Sequence, residues 1–291
     1  MHPSFKSNII NLYGNQGTIW LTQLPLITKK MAAHWKLSDL TPVSNLTYNY
    51  VLSGFQGSQP IILKLAFKAD DLKKEAMALS AFAGFGVIEI LEQTDNALLL
   101  ERAIPGTPLK SYFPSKDKEA IEIACKVIQR LHEAPLPPVQ SNFPHIQDWL
   151  TILDQNWDGI PNHYLNKARL LKNKLLKESN SSVLLHGDLH YDNILKNAED
   201  WLVIDPKGVI GDPIYEVGCL IREPLAELLK QSDQNTILNH RIHIICDHFK
   251  LDKTKIIEWT FVQCVMACCW FLEDNQSPKD ALQFISILDN I

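Results

Sequence analysis

The chain has 291 residues, of which 46% are hydrophobic, so it is long enough to bury one large core or two smaller ones. Its 28 basic and 33 acidic residues give a formal charge of −5, and no run of Lys and Arg exceeds two residues, which argues against a nucleic-acid-binding protein. The longest apolar run, 261–272, has about a dozen residues whereas a transmembrane helix needs about twenty, so we expect a buried helix there and no membrane partner.

The first third of the chain is predicted to form a small sheet with one helix. Residues 48–54 and 60–66 flank a turn-rich connection, a pattern typical of a β-hairpin. Asp70 and Asp71 then begin an amphipathic segment, and acidic residues are favourable in the first turn of a helix. Two further strands are expected on either side of a turn at 94–96: 86–93 and 96–103.

Beyond Ile104–Gly106 the sequence pattern changes to that of helices. Three helices are expected from their apolar periodicity: 118–134, 165–178 and 254–272. Within segment 182–208, two strand-like runs, VLL and WLVID, lie on either side of a polar cluster. The chain is therefore predicted to be an α+β protein with a small N-terminal lobe, residues 1–103, and a larger, mainly helical lobe, residues 104–291.

Cysteine usage and the N-terminal residues indicate the compartment of the protein. The six cysteines form no CxxC pair, and Cys264 and Cys268, four positions apart, would lie on one face of a helix. Free thiols in a reducing compartment explain this pattern better than zinc ligands or disulfides. Residues 1–17 contain no apolar segment behind a basic start, so we expect no signal peptide. These features predict a cytoplasmic protein.

The polar cluster HGDLHYDNIL, at 186–195, contains two histidines, two aspartates and an asparagine. Four residues separate Asp188 from Asn193, and Asp205 follows at the end of an apolar strand. This spacing matches the kinase catalytic loop, in which the first aspartate meets the acceptor hydroxyl while the asparagine and the second aspartate bind a metal. Such a set suits phosphoryl transfer, because positioning and charge neutralisation supply most of that catalysis.

A lysine upstream of the cluster fits the same chemistry. Lys64 lies within the apolar strand IILKLA, where an ammonium group is costly without a partner, and Glu75 follows in the next predicted helix. Kinases use such a lysine for the α- and β-phosphates and such a glutamate to hold it. A lone strand lysine is more often an edge residue that reaches solvent, but its order relative to Asp188 and Asp205 favours nucleotide binding.

The sequence resembles the aminoglycoside phosphotransferase family, a branch of the protein-kinase-like fold, and within it the streptomycin and hydroxyurea phosphotransferase group. The resemblance covers nearly the whole chain, and the matching stretches are WLTQLP (20–25), LLLERAIPGTPL (98–109), LLHGDLHYDNIL (184–195), VIDPKGVIGDPIYEVG (203–218) and IREP (221–224). The resemblance implies a bilobal fold, with an antiparallel sheet and one helix in the N-terminal lobe and a mainly helical C-terminal lobe.

The resemblance also implies roles for individual residues. Asp188 would be the catalytic base, and Asn193 and Asp205 would be ligands of Mg²⁺. Lys64 would hold the α- and β-phosphates of ATP and pair with Glu75. His186 and His190 are expected to be structural, with His186 holding the loop through backbone contacts.

Other nucleotide contacts are expected from the hinge, Glu101 to Ala103, whose backbone groups would hydrogen-bond the adenine. The loop that should cover the nucleotide, 41–49, departs from the family pattern because it contains no glycine. Ser44 and Asn45 would there supply hydroxyl, amide and backbone N–H contacts. The departure leaves the grip on phosphate, and the choice between ATP and GTP, open.

Further candidates lie near the transferred phosphate and the acceptor. Lys207 is predicted to neutralise charge on the phosphate; the alternative is a solvated turn lysine. A cationic acceptor would need additional carboxylates, for which Asp158 and Glu223 are the candidates. Asp154 would share a helix face with Asp158, although each such residue is more often a surface charge. Glu273–Asp274 is a further candidate pair.

The expected function is ATP-dependent phosphotransfer to a hydroxyl of a small molecule, most readily an aminoglycoside such as streptomycin. Two alternatives stay open: a kinase of another small acceptor, such as an amino alcohol, a sugar or hydroxyurea, and a non-catalytic kinase-like nucleotide-binding module. A metallophosphoesterase is disfavoured because no Gly-Asn-His segment occurs, and zinc deaminases and proteases because neither PCxxC nor HExxH occurs. The sequence leaves the oligomeric state open.

Overall fold

The computed structural model describes residues 3–138 and 142–291, and the chain divides into two compact units. The first unit consists of Met1–Ala83 and Val87–Gly106, and the second of Gly84–Gly86 and Thr107–Ile291. The main division thus falls between Gly106 and Thr107. The chain crosses it within the short strand β6 (Pro105–Pro108).

The first unit contains a five-stranded antiparallel sheet in the order β1-β2-β3-β5-β4. Its strands are β1 (Leu37–Pro42), β2 (Tyr50–Gln56), β3 (Gln59–Leu65), β4 (Ile90–Thr94) and β5 (Ala97–Glu101). The predicted hairpin is confirmed as β2–β3, with Tyr50 opposite Leu65 and Gln56 opposite Gln59. The two strands predicted after the helix are also present, but β4 begins only at Ile90.

Two helices accompany this sheet, α1 (Pro3–Trp35) and α2 (Ala69–Ala81). The predicted helix is confirmed as α2, which has Asp70 and Asp71 in its first turn. The second helix, α1, was not predicted. It is interrupted at Gly14, whose φ of 56° and ψ of −133° are not helical, and it contains Pro25. Because both residues are typical of helix ends, they obscured the helical pattern in the sequence.

One face of the sheet packs against α1. The buried core on this face combines apolar side chains of the helix and the strands: Phe5, Ile9, Trp20, Leu24, Trp35, Leu46, Leu52, Ile61, Leu63, Leu65, Ala97 and Leu99. Successive side chains of a strand point to opposite faces. Leu63 and Leu65 therefore meet α1, whereas Lys64, which lies between them, points to the other face of the sheet.

The second unit is mainly helical, as predicted. Its helices are α3 (Asp117–His132), α4 (Ile146–Trp149), α5 (Asn162–Glu178), α6 (Val217–Arg222), α7 (Leu225–Leu228), α8 (Gln234–Phe249), α9 (Lys253–Glu273) and α10 (Lys279–Leu288). The helices α5, α6 and α10 pack around α9. Single 3-10 turns occur at Leu109–Tyr112, Leu150–Asp154, Tyr191–Asn193 and Pro213–Glu216.

The helix α9 confirms the buried helix expected from the apolar run. Within the described residues it is the one helix that is long and apolar enough, by length and composition alone, to cross a membrane. Twelve of its residues, from Ile256 to Cys269, are nevertheless buried inside the second unit. The six cysteines are free, as predicted, and burial raises the pKa of the Cys264 thiol to about 11.

Short antiparallel ladders hold the polar segment that follows α5. The strand β7 (Val183–Leu185) pairs with β10 (Val209–Gly211), and β8 (Ile194–Asn197) pairs with β9 (Asp200–Val203). The predicted strand runs VLL and WLVID lie in β7 and across β9. Two loops, 186–193 and 204–208, therefore connect one ladder to the other, and the predicted catalytic residues lie in these loops.

We predict that Gly17→Ala destabilises the first unit. A methyl group at Gly17 would lie 2.6 Å from the backbone oxygen of Ile9, so the two segments of α1 on either side of Gly14 would have to separate. This clash should outweigh the gain in helix propensity and lower the free energy of unfolding by about 1–2 kcal/mol. The neighbouring exposed residue provides the control: Gln16→Ala should change it by less than about 0.5 kcal/mol. Equal denaturation midpoints for both variants would contradict the packing described for α1.

Candidate active site

A buried carboxylate holds the start of the 186–193 loop. Glu216 is 2% exposed; its Oε2 accepts a hydrogen bond from the backbone N–H of His186 at 2.6 Å, and its Oε1 accepts one from Gly187 at 3.1 Å. Glu216 is reached through a 3-10 turn that Asp212 caps by accepting from the N–H of Ile214 at 2.9 Å. One side chain thus binds two successive amides of the loop.

The charge of Glu216 is maintained despite its burial. Burial alone would raise the pKa of this carboxyl, but the neighbouring His132 and the hydrogen bond from the His186 amide lower it below its usual value. The His132 Nε2 lies 3.8 Å from Oε2 of Glu216. Sequence reasoning missed this residue. The available indication was an acidic residue within the apolar run IYEVG, where a carboxylate needs a partner.

The imidazole of His186 connects the two loops. Its Nε2 lies 2.8 Å from the carbonyl oxygen of Ile204, and its Nδ1 accepts from the N–H of Asp188 at 3.1 Å. Both contacts fit the neutral tautomer with its proton on Nε2. Burial lowers the pKa of this imidazole below its ordinary 6.5, which also favours the neutral form. The structural role predicted for His186 is confirmed: it fixes the backbone beside Asp188 and beside Asp205.

Asp188 and Lys207, the two predicted catalytic residues, lie close together. The Lys207 Nζ is 3.8 Å from Oδ2 of Asp188, and their side chains are 52% and 39% exposed. Lys207 is held by its own backbone, whose N–H donates to the carbonyl of His186 at 2.8 Å. A pair this exposed contributes about 0–1 kcal/mol to stability. Both groups therefore remain accessible to a substrate, and their chemical roles stay predictions.

Asn193 and Asp205 lie at the same end of the β8–β9 hairpin, because the N–H of Ile204 donates to the carbonyl of Asn193 at 3.0 Å. The Asn193 side chain is buried, and its Nδ2 donates to the carbonyl of Asp188 at 2.9 Å, which orients the amide. Asp205 has a φ of 60°, in the left-handed region that residues other than glycine rarely adopt. Such strain is often found at functional sites.

The chemistry of these two side chains fits Mg²⁺. The amide oxygen of Asn193 and the carboxylate of Asp205 are hard oxygen donors, and Mg²⁺ is usually held by one or two protein groups while water and phosphate fill its other positions. Among residues 3–138 and 142–291, no group of three His, Cys, Asp or Glu side chains could hold a metal ion. Asn193 and Asp205 are the residues that would hold such an ion, and this role stays a prediction.

The first unit contains the predicted pair of Lys64 and Glu75. The Lys64 Nζ lies 2.8 Å from Oε1 and 2.7 Å from Oε2 of Glu75, and both residues are buried. A buried ammonium group needs such a partner, since removal of either one leaves an uncompensated charge. The pairing places the ammonium on the face of the sheet opposite α1, and its contact with phosphate stays a prediction.

The glycine-free loop predicted to cover the nucleotide is the connection between β1 and β2. Ser44 and Asn45 are exposed in its turn. The next residue, Leu46, is buried in the core between α1 and the sheet, and the carbonyl of Thr47 accepts from the Asn8 side chain at 3.2 Å. One side of the loop is therefore attached to α1, while Ser44 and Asn45 remain available for the predicted contacts.

The predicted hinge follows β5 directly. Glu101 is the last residue of this strand, and its Oε2 accepts from the N–H of Glu89 at 3.2 Å. Ala103 is buried, and its carbonyl oxygen would lie 2.8 Å from a methyl group added at Gly106, which has a φ of 74°. The hinge thus has a compact backbone, and its contact with adenine stays a prediction.

The expectation that Asp154 and Asp158 share a helix face is wrong. The 3-10 turn that contains Asp154 ends there, and Asp158 lies exposed in a later turn. Asp154 instead pairs with Lys172. The helix does not continue because Arg169 of α5 binds the backbone carbonyls of Leu153 and Gln155, each at 2.7 Å, and so stabilises an irregular chain.

Glu223, the second acceptor candidate, follows α6. Its Oε1 lies 2.9 Å from Nε of Arg222, and its Oε2 accepts from the N–H of Leu225 at 3.0 Å, at the start of α7. Burial opposes its ionisation, but Arg222 outweighs that effect and lowers the pKa of Glu223. The carboxylate is therefore charged and fixed in direction. Binding of an acceptor by Glu223 or Asp158 stays a prediction, and Glu273–Asp274 is exposed at the end of α9.

Comparison with known proteins identifies relatives along most of the chain. A family model described as aminoglycoside/hydroxyurea antibiotic resistance kinase matches residues 34–275. The streptomycin 6-kinase of Streptomyces griseus is 24% identical over 271 residues, which are 90% of this chain and 87% of that protein. The streptomycin 3''-kinase of Klebsiella pneumoniae is 26% identical over 247 residues, 83% of this chain and 91% of that protein.

The fold is also that of solved structures. A thermostable mutant of the aminoglycoside phosphotransferase APH(4)-Ia, in a ternary complex with ADP and hygromycin B, has a TM-score of 0.68 to this chain and 16% identity, and the match covers 90% of this chain and 96% of that chain. This likeness confirms the α+β, protein-kinase-like fold that the sequence predicts.

We predict that His186 makes stability depend on pH. The pKa of its imidazole is lowered in the folded chain, so below the ordinary value of 6.5 the unfolded chain binds more protons, and the free energy of unfolding should fall as pH falls. Urea unfolding of His186→Gln between pH 7.5 and about 5.5 should therefore show a smaller slope than the natural chain. His243→Gln, which replaces a side chain that is 76% exposed, is the control and should leave the slope unchanged. An unchanged slope for His186→Gln would contradict the buried neutral imidazole.

Proposed function

The chain belongs to the aminoglycoside/hydroxyurea antibiotic resistance kinase family, and we propose that it transfers a phosphoryl group from ATP to an aminoglycoside, with streptomycin as the first candidate. It is a phosphotransferase with a hydroxyl group as acceptor. The observation that best supports this proposal is the loop in which the Asp188 side chain is accessible, while the successive amides of His186, Gly187 and Asp188 are held by Glu216 and the His186 ring. We also propose a cytoplasmic location, since free cysteines are typical of reducing compartments.

In this proposal Asp188 accepts the proton of the acceptor hydroxyl and orients its oxygen towards the phosphorus. Lys207, 3.8 Å from Asp188, is placed to neutralise charge on the transferring group. Asn193 and Asp205 would hold Mg²⁺, which when bound neutralises charge on the β- and γ-phosphates. Lys64, held by Glu75, would bind the α- and β-phosphates. In this proposal the side chains of the protein position the two substrates and neutralise the charge of the phosphates.

A cationic acceptor is supported by the charges beside the loop. The ammonium group of Lys110 lies 3.5 Å from Oδ2 of Asp192, within the loop itself, and 3.2 Å from Oε1 of Glu227. Burial opposes the charge of Lys110, but these carboxylates raise its pKa. Two carboxylates face this one ammonium group, so the cluster keeps a net negative charge that favours a cationic acceptor. The charged Glu223 adds to the same preference, which an aminoglycoside, with several ammonium groups, would satisfy better than a neutral sugar.

Hydroxyurea is the second candidate acceptor, because the matching family model includes it in its description. A non-catalytic nucleotide-binding module is less well supported, since Asp188, Asn193 and Asp205 are all retained. The deciding experiment is an ATP-consumption screen against streptomycin, hygromycin B, amino alcohols, sugars and hydroxyurea, with the phosphorylated product identified by mass. Turnover with hydroxyurea and none with aminoglycosides would select the second candidate, and no turnover with any acceptor would reject the proposed activity.

We predict that Asp188→Ala and Asp205→Ala each reduce kcat by at least about a hundredfold, because the first loses the base and the second a metal ligand. The two losses should differ in kind: Asp205→Ala should also weaken Mg²⁺–ATP binding, measured by calorimetry, and Asp188→Ala should not. Asp200→Ala is the matched control, because Asp200 lies at the opposite end of the β8–β9 hairpin and pairs with Arg130. A rate near that of the natural chain in either of the first two variants would reject the assigned site.

A further inference from the structure

An arginine is fully buried in the second unit. Arg241 of α8 is 0% exposed, and its guanidinium binds Asp117, at the start of α3, through two nitrogens. Its Nε lies 3.2 Å from Oδ1 and 3.0 Å from Oδ2, and its Nη2 lies 2.6 Å from Oδ1. Burial of a guanidinium is costly unless all its donors are paired. The remaining nitrogen of Arg241 is also paired, with backbone carbonyl oxygens.

The third nitrogen of Arg241 binds the end of α6. Its Nη1 donates to the carbonyl oxygens of Leu220 at 3.3 Å, Ile221 at 2.8 Å and Glu223 at 2.7 Å. The last carbonyls of a helix have no partner within the helix, and a cation at this end is favourable. Arg241 therefore fixes the backbone of Glu223, the residue whose carboxylate is a candidate for binding the acceptor.

The plane of the guanidinium is also in contact with the catalytic loop. Its central carbon lies 5.5 Å from the ring centroid of Tyr191 and 5.2 Å from that of Phe113, distances typical of cation–π contacts. Tyr191 is buried and begins the 3-10 turn that ends with Asn193. Arg241 thus packs against the first residue of the turn that contains the predicted metal ligand, Asn193.

We propose that Arg241 is a positioning residue for phosphotransfer, which holds the turn of Asn193 and the backbone of Glu223 in a fixed relation to each other. The inference rests on the proposed function for the roles of these two residues, but the contacts of Arg241 are independent of it. A guanidinium suits this task because its planar fork bonds in several directions while its face stacks on a ring. Lysine, with a compact ammonium group, cannot make both sets of contacts.

The test compares Arg241→Lys with Arg169→Lys. Arg169 is the matched control because it also binds backbone carbonyls within the second unit, those of Leu153 and Gln155, each at 2.7 Å. In Arg241→Lys we expect the KM for the acceptor and the Mg²⁺ concentration for half-maximal rate each to rise at least about fivefold, since Glu223 and Asn193 are both displaced. Arg169→Lys should lower the melting temperature without changing either constant. If either constant in Arg241→Lys equals that of the control, the inference is overturned.

Hydrogen exchange separates this inference from the proposed function. If the natural chain phosphorylates no tested acceptor, the proposed function fails, but amide exchange at 188–193 and 222–225 still reports on Arg241. Faster exchange than in Arg169→Lys, by at least about tenfold in both segments, supports the inference, and unchanged exchange in either segment overturns it. If Arg241→Lys does not fold, Asp117→Asn, which keeps the arginine and weakens its anchor, is compared by the same criterion.

Discussion

The hydrogen bonds from the amides of His186 and Gly187 to the buried carboxylate of Glu216 are the interaction on which the rest of the site depends. Hydrogen bonds to a charged group are each worth about 1.5–3 kcal/mol, and more is lost when a buried partner is left unpaired. They fix the backbone directly before Asp188. The imidazole of His186 in turn hydrogen-bonds the carbonyl of Ile204, the residue before Asp205, and so fixes the second loop as well. The aspartate proposed as catalytic base and the one proposed as metal ligand are therefore positioned from one buried charge.

The parts of the site that the sequence predicts are those with a local pattern. Asp188 and Asn193 are separated by four residues in one loop, and Asp205 ends an apolar strand. Their spacing alone was therefore sufficient to predict them as one candidate site. Lys64 and Glu75 could be paired because a charge inside an apolar strand requires a partner in the next element. In both cases, residues that act together are close in the sequence or lie in neighbouring elements.

The parts that were missed depend on contacts between distant residues. Glu216 contacts His186 across thirty positions, and Arg241 contacts Asp117 across more than a hundred, so neither has a sequence spacing that could be recognised. The helix α1 was missed because Gly14 and Pro25 interrupt its pattern, although tertiary packing against the sheet stabilises it. Asp154 and Asp158 do not share a helix face, because the 3-10 turn of Asp154 ends where Arg169 binds the chain.

The residues proposed for phosphotransfer differ from those proposed to select the acceptor. In the proposed function, Asp188, Asn193 and Asp205 would serve any hydroxyl acceptor, whereas Glu223 and the carboxylates around Lys110 would favour a cationic one. Arg241 lies between these two groups, because it contacts the ring of Tyr191 on one side and the carbonyl of Glu223 on the other. The residues proposed for chemistry and those proposed for acceptor selection are thus connected within the second unit through a residue that is fully buried.

The most direct test of the central claim is the kcat of Glu216→Gln, measured at saturating ATP and acceptor on protein shown to be folded. Glutamine keeps the size of the side chain but replaces one carboxylate oxygen with an NH₂ group, which cannot accept a hydrogen bond from the amide of His186 or Gly187 that it faces. Glu258→Gln is the matched control, because Glu258 is a largely buried carboxylate of α9 that pairs with Lys174. The account predicts that kcat falls at least about tenfold in Glu216→Gln and is unchanged in Glu258→Gln. A kcat for Glu216→Gln within about twofold of the natural chain would contradict it.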